Sequence, residues 1–361
     1  KHGKQKYRIL RKVITGFYEF VQYIAPVGPK KELYKEANRY LKENQVDAIL
    51  ATGDPFVLFK YASTLSKKHN THWIADYRDP WSQDIYIQKK VLLKKWASFI
   101  EKRTVRKAAL FTTVDEFFAN KITSLLPDMP YEILANGYDP EIIESVSHIE
   151  QGADTLTISF IGSLYDWHPI ESFLKVFNKH ISQNEKAKVQ LRFYGLGNKE
   201  ALSNLVDNQF QEIKNRITII PRMPNDELLA SISQDNVMLL FNYYSFMGTK
   251  IFDYIGVKRK ILFCYSNDPS ANELKRKHYK LDDDNSRNTQ IQEELILKSN
   301  SGVVVENETQ LLEVFKELQD EFDTNGSIKC ESVGIEKYSR KVQVGEMASI
   351  VSRISNKNKV D

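Results

Sequence analysis

Residues 236–265 read NVMLLFNYYSFMGTKIFDYIGVKRKILFCY, two short apolar runs around a helical pattern. NVMLLFNY and KILFCY are too short for buried helices and suit strands covered on both faces. GTKIFDYIGV between them reads as a helix opened by Gly248 and Thr249. Two strands joined through a helix lie parallel, so this stretch predicts a βαβ unit.

Working outward, the alternation continues on both sides. LTISFIG, KVQLRFYG, RITIIP and GVVVE are further strand candidates. Helical patterns in PIESFLKVFNKHI, NDELLASISQ and TQLLEVFKEL separate them, and together they predict a doubly wound domain over 150–335. Upstream, VDAILAT, HWIADY, AALFTTV and YEILAN alternate with helical stretches, and Asp115 is a plausible N-cap for DEFFANKITSLL. This gives an N-terminal Rossmann-like domain over 1–149. Its strand series starts only at residue 46, behind helical or irregular residues, so the domain is expected to be incomplete at its start. The tail 336–361 is expected to form an amphipathic helix crossing back onto the first domain. LDDDNSRNTQ at 281–290 reads as a surface loop. The predicted fold class is α/β, two Rossmann-like doubly wound parallel-sheet domains whose strand ends line a shared cleft.

Composition narrows the functional classes. Of 361 residues, 42% are hydrophobic and 27% charged, as in a water-soluble globular chain. No apolar run approaches the roughly 18 residues of a membrane span, and no signal peptide is visible. Cys264 and Cys330 are the only cysteines, too few for a disulfide framework, which predicts a reducing, cytoplasmic location. A net charge of +4 is mild and does not point to nucleic acid. The seven histidines have no zinc-type spacing, so no metal and no cofactor is expected.

Ligands of doubly wound sheets bind in the loops after the strands. In FIGSLYDWHP, Gly162 and Ser163 can expose N–H groups to a phosphate, although such a turn often carries glycine for steric reasons alone. Gly195 and Gly197 in RFYGLGN present the same choice. His168 beside the first turn could touch a phosphate or sugar, but is expected in solvent. Gly248, Thr249 and Lys250 together would suit a pyrophosphate, and Asp253, at i+3, could accept from a ribose diol. The ordinary alternative is a capped helix with an internal Lys250–Asp253 ion pair.

The stretch FMGTKIFDYIGVKRKIL resembles the P-x-K-(L/I)-F-E-Y-(L/I) signature of group 1 (family 4) glycosyltransferases, which have the GT-B fold. Other segments resemble family motifs in the same order: VDAILATGDPF, HWIADYRDPWSQD (like pWIaDfRDPWs), ILANGYDPE, ISFIGSLY, PRMPNDELLA and KYSRK. The likeness runs over residues 30–355 and is nearest to members that build bacterial surface polysaccharides. It implies a retaining transferase of hexosyl type, moving sugar from a nucleotide diphosphate sugar to a glycan or lipid-linked acceptor. Donor contacts would come from Gly162, Ser163, Gly195, Arg222, Met223, Gly248, Thr249, Lys250 and Asp253. Asp253 stands where the family usually has Glu, Ser245 where many relatives have another Glu, and the first loop lacks a common Lys.

The same resemblance places WIADYRDPWSQD, 73–84. Asp76, Arg78 and Asp79 would face the cleft, with Asp76 and Asp79 joining Lys250 as catalytic residues. Gly53, Asp54, Arg78 and Trp81 would form the acceptor side, Trp81 offering a flat face to a sugar ring. The alternative is an ion-pair cluster bracing the loop, with the tryptophans in the core. Two other functions share the architecture: a nucleotide-sugar epimerase, and a catalytically silent nucleotide-sugar-binding partner.

The basic stretch 87–107 has eight Lys and Arg residues against Glu101 alone. Such a helix can lie on an anionic bilayer at the inner face of the cell membrane. A solvated basic face over a core-facing stripe, with Trp96, Phe99 and Ile100 inward, is the simpler reading.

Overall fold

A computed structural model describes residues 8–83, 91–243, 247–278 and 290–357. The chain divides into two compact units, Lys1–Ala135 with Gly345–Asp361, and Asn136–Val344.

In the first unit the elements run α1 (Arg8–Val21), α2 (Lys31–Glu43), β1 (Ala48–Gly53), α3 (Val57–His69), β2 (His72–Tyr77), α4 (Val91–Val105), β3 (Leu110–Thr113), α5 (Glu116–Leu125) and β4 (Tyr131–Ile133). The strands form one parallel sheet in the order β1-β2-β3-β4. Side chains of β2 alternate between faces. Trp73, Ala75 and Tyr77 enter a core with Phe59 and Phe111. Asp115 caps α5 by accepting the Phe118 N–H at 2.8 Å.

The second unit contains α6 (Pro140–Val146), β5 (Leu156–Ile161), α7 (Ile170–Gln183), β6 (Val189–Tyr194), α8 (Lys199–Gln209), β7 (Ile217–Ile220), α9 (Asn225–Ser233), β8 (Val237–Phe241), α10 (Lys250–Gly256), β9 (Lys260–Cys264), α11 (Pro269–Arg276), α12 (Ile291–Lys298), β10 (Gly302–Val305) and α13 (Glu308–Asn325). Its six strands are parallel in the order β10-β9-β8-β5-β6-β7. Every residue of β8 is buried, as a central strand between two helical layers requires.

The last helix, α14 (Arg340–Lys357), begins in the second unit and ends in the first. Its Ile350 and Ile354 are buried with Ile74, Leu110 and Leu134, on the opposite side of β2 from Trp73. Residues 136–149, expected with the first domain, belong to the second unit. Backbone contact is the reason. Tyr138 N–H donates to the Tyr338 carbonyl at 3.1 Å, and Arg340 N–H donates to the Tyr138 carbonyl at 2.9 Å. A Cβ on Gly137 would lie 2.2 Å from the Tyr338 carbonyl oxygen, so only glycine fits. The helix expected over 87–107 is described as α4 from residue 91. Residues 87–90, Ser245 and most of the 281–290 loop lie outside the described residues.

Candidate functional site

Strand order in the second unit reverses between β8 and β5. In an open α/β sheet the loops at the carboxyl ends beside such a reversal form the ligand crevice. Those loops are tied to one another. Gly162 N–H donates to the Tyr194 carbonyl at 2.7 Å, and Gly195 N–H donates to the Ile220 carbonyl at 2.9 Å. The Ile161 N–H donates to the Tyr254 hydroxyl of α10 at 3.0 Å.

These bonds correct one expectation. The N–H groups of Gly162 and Gly195 extend the sheet ladder and are engaged there, so neither is held out for a phosphate. Glycine at 162 supplies conformation and room. Its φ is +79°, and a Cβ would stand 3.0 Å from Lys250 Cε and 3.3 Å from Lys250 Nζ. Gly195, at φ +65°, brings its loop beside Arg222, whose Cα would be 3.8 Å from an added Cβ. Ser163 Oγ would be 3.2 Å from a Cβ on Gly197. Thus Gly162 meets Lys250, Gly195 meets Arg222, and Ser163 meets Gly197.

Lys250 is the most informative group. Its Nζ is buried with no hydrogen-bond partner. It lies 4.3 Å from the centre of the Phe160 ring, a cation–π contact. Burial pushes its pKa down to about 7. The ordinary reading of this helix required an ion pair to Asp253 and a side-chain cap. Lys250 has no such pair, and Thr249, at the N-cap position, makes no side-chain cap bond. Gly248 precedes it at φ +68°. Asp253 is half-buried, and burial raises its carboxyl to about 6 against the opposing charge of Arg340. Arg222 is exposed, and the Met223 sulfur accepts a weak bond from the Ser231 hydroxyl at 3.8 Å.

His168, expected in solvent, is only 2% exposed. The apolar neighbours Trp167 and Pro169 were the signal for this. Its ring packs against Phe160 at the end of β5, and against Phe241 and Tyr243 at the end of β8. A cavity of about 780 Å³ in this unit is lined by His168 together with Tyr165, Ser172, Lys175, Leu205 and Leu274. It includes none of the expected donor residues.

The end of β2 and the loop after it, in the first unit, are organised differently. Asp76 is 3% exposed and accepts from the Thr112 hydroxyl at 2.8 Å, the Thr52 hydroxyl at 2.9 Å and Arg78 Nε at 3.0 Å. Arg78 also reaches the Leu134 carbonyl at 3.4 Å. Asp76 is therefore engaged within the protein, as the bracing alternative requires. Trp81 stacks on Phe56 (5.1 Å, 1°) and on Tyr23 (5.4 Å, 27°), so its stacking surface serves protein aromatics instead of a sugar. Trp73 is in the core. Asp54 and Asp79 are exposed and close together. Partial burial and the Asp54 charge both raise the Asp79 carboxyl. A Cβ on Gly53 would meet the Phe56 ring at 2.5 Å, which explains the glycine.

Sequence reading missed Glu101. It is fully buried in α4, accepts from the Tyr77 hydroxyl at 2.9 Å and from the Ser82 N–H at 3.1 Å, and so anchors the loop at both ends. Burial raises its pKa despite those bonds. The signal was its isolation among eight cations. Phe99, expected in the core, is exposed.

Among the described residues, no group of three or more His, Cys, Asp or Glu side chains could hold a metal ion. No described helix is long and apolar enough to cross a membrane.

No family model matches the chain, and no curated protein matches it. Solved structures do. Sucrose-phosphate synthase from Thermosynechococcus elongatus matches with TM-score 0.56 and 11% identity, over 91% of this chain and 80% of that one. Anabaena HepE in complex with UDP matches with TM-score 0.60 and 10% identity, over 89% and 82%. The UDP-forming alpha,alpha-trehalose-phosphate synthase from Burkholderia xenovorans matches with TM-score 0.55 and 9% identity, over 91% and 80%. At such identities a likeness bears on the fold alone. Together with parallel sheets of four and six strands, it shows that this chain has the GT-B fold, two Rossmann-like α/β domains.

Proposed function

We propose that this chain is a glycosyltransferase that moves a hexosyl group from a nucleotide diphosphate sugar to a glycan or lipid-linked acceptor. The carrying observation is the Lys250 ammonium, buried without a partner beside Gly162 at the strand-order reversal. A buried unpaired cation is costly, and a diphosphate would relieve that cost. The UDP complex of HepE and the UDP-forming reaction of the trehalose-phosphate synthase support a nucleoside diphosphate as leaving group.

In this reading negative charge grows on the diphosphate as its bond to the anomeric carbon breaks. Lys250 neutralises it where water is scarce. Gly162, Ser163, Gly195, Gly248 and Thr249 shape the donor loops, with Arg222 and Met223 at their edge. Asp253 accepts from the ribose diol. On the acceptor side Asp54 and Asp79 bind sugar hydroxyls. Asp76 acts as a positioning residue through Arg78. No resident metal is invoked, because Lys250 meets the diphosphate charge. Retention of configuration and a role in surface polysaccharide synthesis follow from the sequence resemblance. Peripheral contact with the inner face of the membrane is proposed for 87–107, where Lys94, Lys95, Lys102 and Arg103 are exposed around Phe99.

A thermal-shift panel of nucleotide sugars tests the reading, since a ligand at 100 times its Kd stabilises by about 2.7 kcal/mol. Transfer from the binding donor to a sugar acceptor would support it. Epimerised donor formed without acceptor would replace it with an epimerase. Binding without turnover would leave a silent partner.

A further inference from the structure

His168 lies in the same crevice and is unused by that mechanism. Its Nδ1 accepts the Tyr165 N–H at 3.3 Å. In a neutral imidazole the proton then belongs on Nε2. Nε2 is buried and has no partner. The ring is held by Phe160, Phe241 and Tyr243 at centroid distances of 5.8, 5.2 and 5.4 Å, over the ends of the two strands where the order reverses. Lys250 Nζ sits against that same Phe160 ring. The imidazole is kept neutral, its pKa lowered to about 2 by burial and then by the charges of Lys250 and Lys275.

Two buried nitrogen donors without partners thus border one aromatic ring. Buried polar groups in folded proteins are nearly always satisfied, so an exception calls for a ligand or another cause. The imidazole Nε2–H and the Lys250 ammonium both donate, so a partner shared by the two would offer acceptor oxygens. We infer that His168 is a second ligand of the donor diphosphate, its Nε2–H donating to a phosphate oxygen while Lys250 supplies the charge. This rests on the donor reading above and adds a residue to it. A neutral donor fixed in one tautomer contributes direction without further like-charge repulsion.

Calorimetric titration with UDP, GDP and ADP tests it on the parent, His168→Phe, His168→Gln and Lys250→Met. For whichever nucleotide the parent binds, His168→Phe should weaken affinity about tenfold or more, the loss of one hydrogen bond to a charged group. His168→Gln, which can place an N–H near the same point, should stay closer to the parent. The imidazole ¹⁵Nε2 resonance of the unsubstituted protein should also move on saturation, which needs no variant to fold. If Lys250→Met binds more weakly while His168→Phe and the resonance are unaffected, the inference falls and the donor reading stands. If the loss appears only with a nucleotide sugar and not with the bare diphosphate, His168 meets the sugar and the inference is likewise overturned. If the parent binds no nucleoside diphosphate, both readings fail.

Discussion

At the end of β2 both carboxylate oxygens of Asp76 have protein partners, and in the loop after it Trp81 stacks on two aromatic rings. In the crevice between β5 and β8, Lys250 and His168 are buried with donors unmatched. The first arrangement holds a loop in shape, and the Asp76 carboxylate is complete without a ligand. The second, in the proposed reading, is completed by a ligand that offers acceptor oxygens. The density of charged and aromatic residues after β2 is thus accounted for by contacts within the protein, whereas the proposed donor site rests on two unsatisfied buried donors that share one aromatic ring.

That contrast breaks first on stability. Asp76→Ala should destabilise the first unit by about 3 kcal/mol, because two hydroxyls and a guanidinium lose a buried acceptor together. Chemical denaturation followed by tryptophan fluorescence would measure it, since Trp73 and Trp81 lie in that core and loop. A loss under about 1 kcal/mol would return Asp76 to the residues available for sugar contact.

Lys250→Met should do the opposite. Nucleoside diphosphate affinity should fall by about 1.5–3 kcal/mol, while the unliganded protein melts no lower at pH 7. The pH dependence sharpens this. Lys250 is held at about 7 in the folded chain against an ordinary 10.5. Between those values the unfolded chain carries the extra proton, so the parent gains stability from this group as pH rises through that window. Over the same rise the empty site loses its ammonium, and diphosphate affinity should decline from pH 7 to 9 in the parent but not in the variant. A melting temperature that drops sharply for Lys250→Met would make this lysine structural.

Asp253→Asn should have the smallest effect, about 1 kcal/mol of nucleotide affinity at pH 7.5, with the fold preserved. Its folded pKa of about 6 exceeds the ordinary 3.8, so its protonation favours the folded state as pH falls through that window. Parent affinity should weaken below pH 6 as the acceptor is protonated. Equal nucleoside affinity in parent and variant at pH 7.5 would remove the ribose role.

Much of this architecture is legible locally. The strand HWIADY matches β2 end to end, KILFCY runs one residue past β9, and NVMLLFNY overruns β8 by one residue at its start and two at its end, because a short apolar run is enough to specify a buried strand but not its last residue. Asp115 is a cap in the structure as in the sequence, since capping reaches only three residues. The short helices α6 and α11 escaped notice, each having too few turns to display a period.

What the sequence by itself determined is the alternation of strand and helix, the parallel sheets it demands, and a set of polar residues after the strands. Tertiary structure alone decided which of those residues are already satisfied. The partners of Asp76 come from Thr52, 24 residues before it, and Thr112, 36 residues after it. Lys250 lies against Phe160 and Gly162, which the chain reaches some ninety residues earlier. Apolar patterning is a property of neighbours along the chain. Hydrogen-bond satisfaction is a property of neighbours in space, and only the folded sheet brings them together.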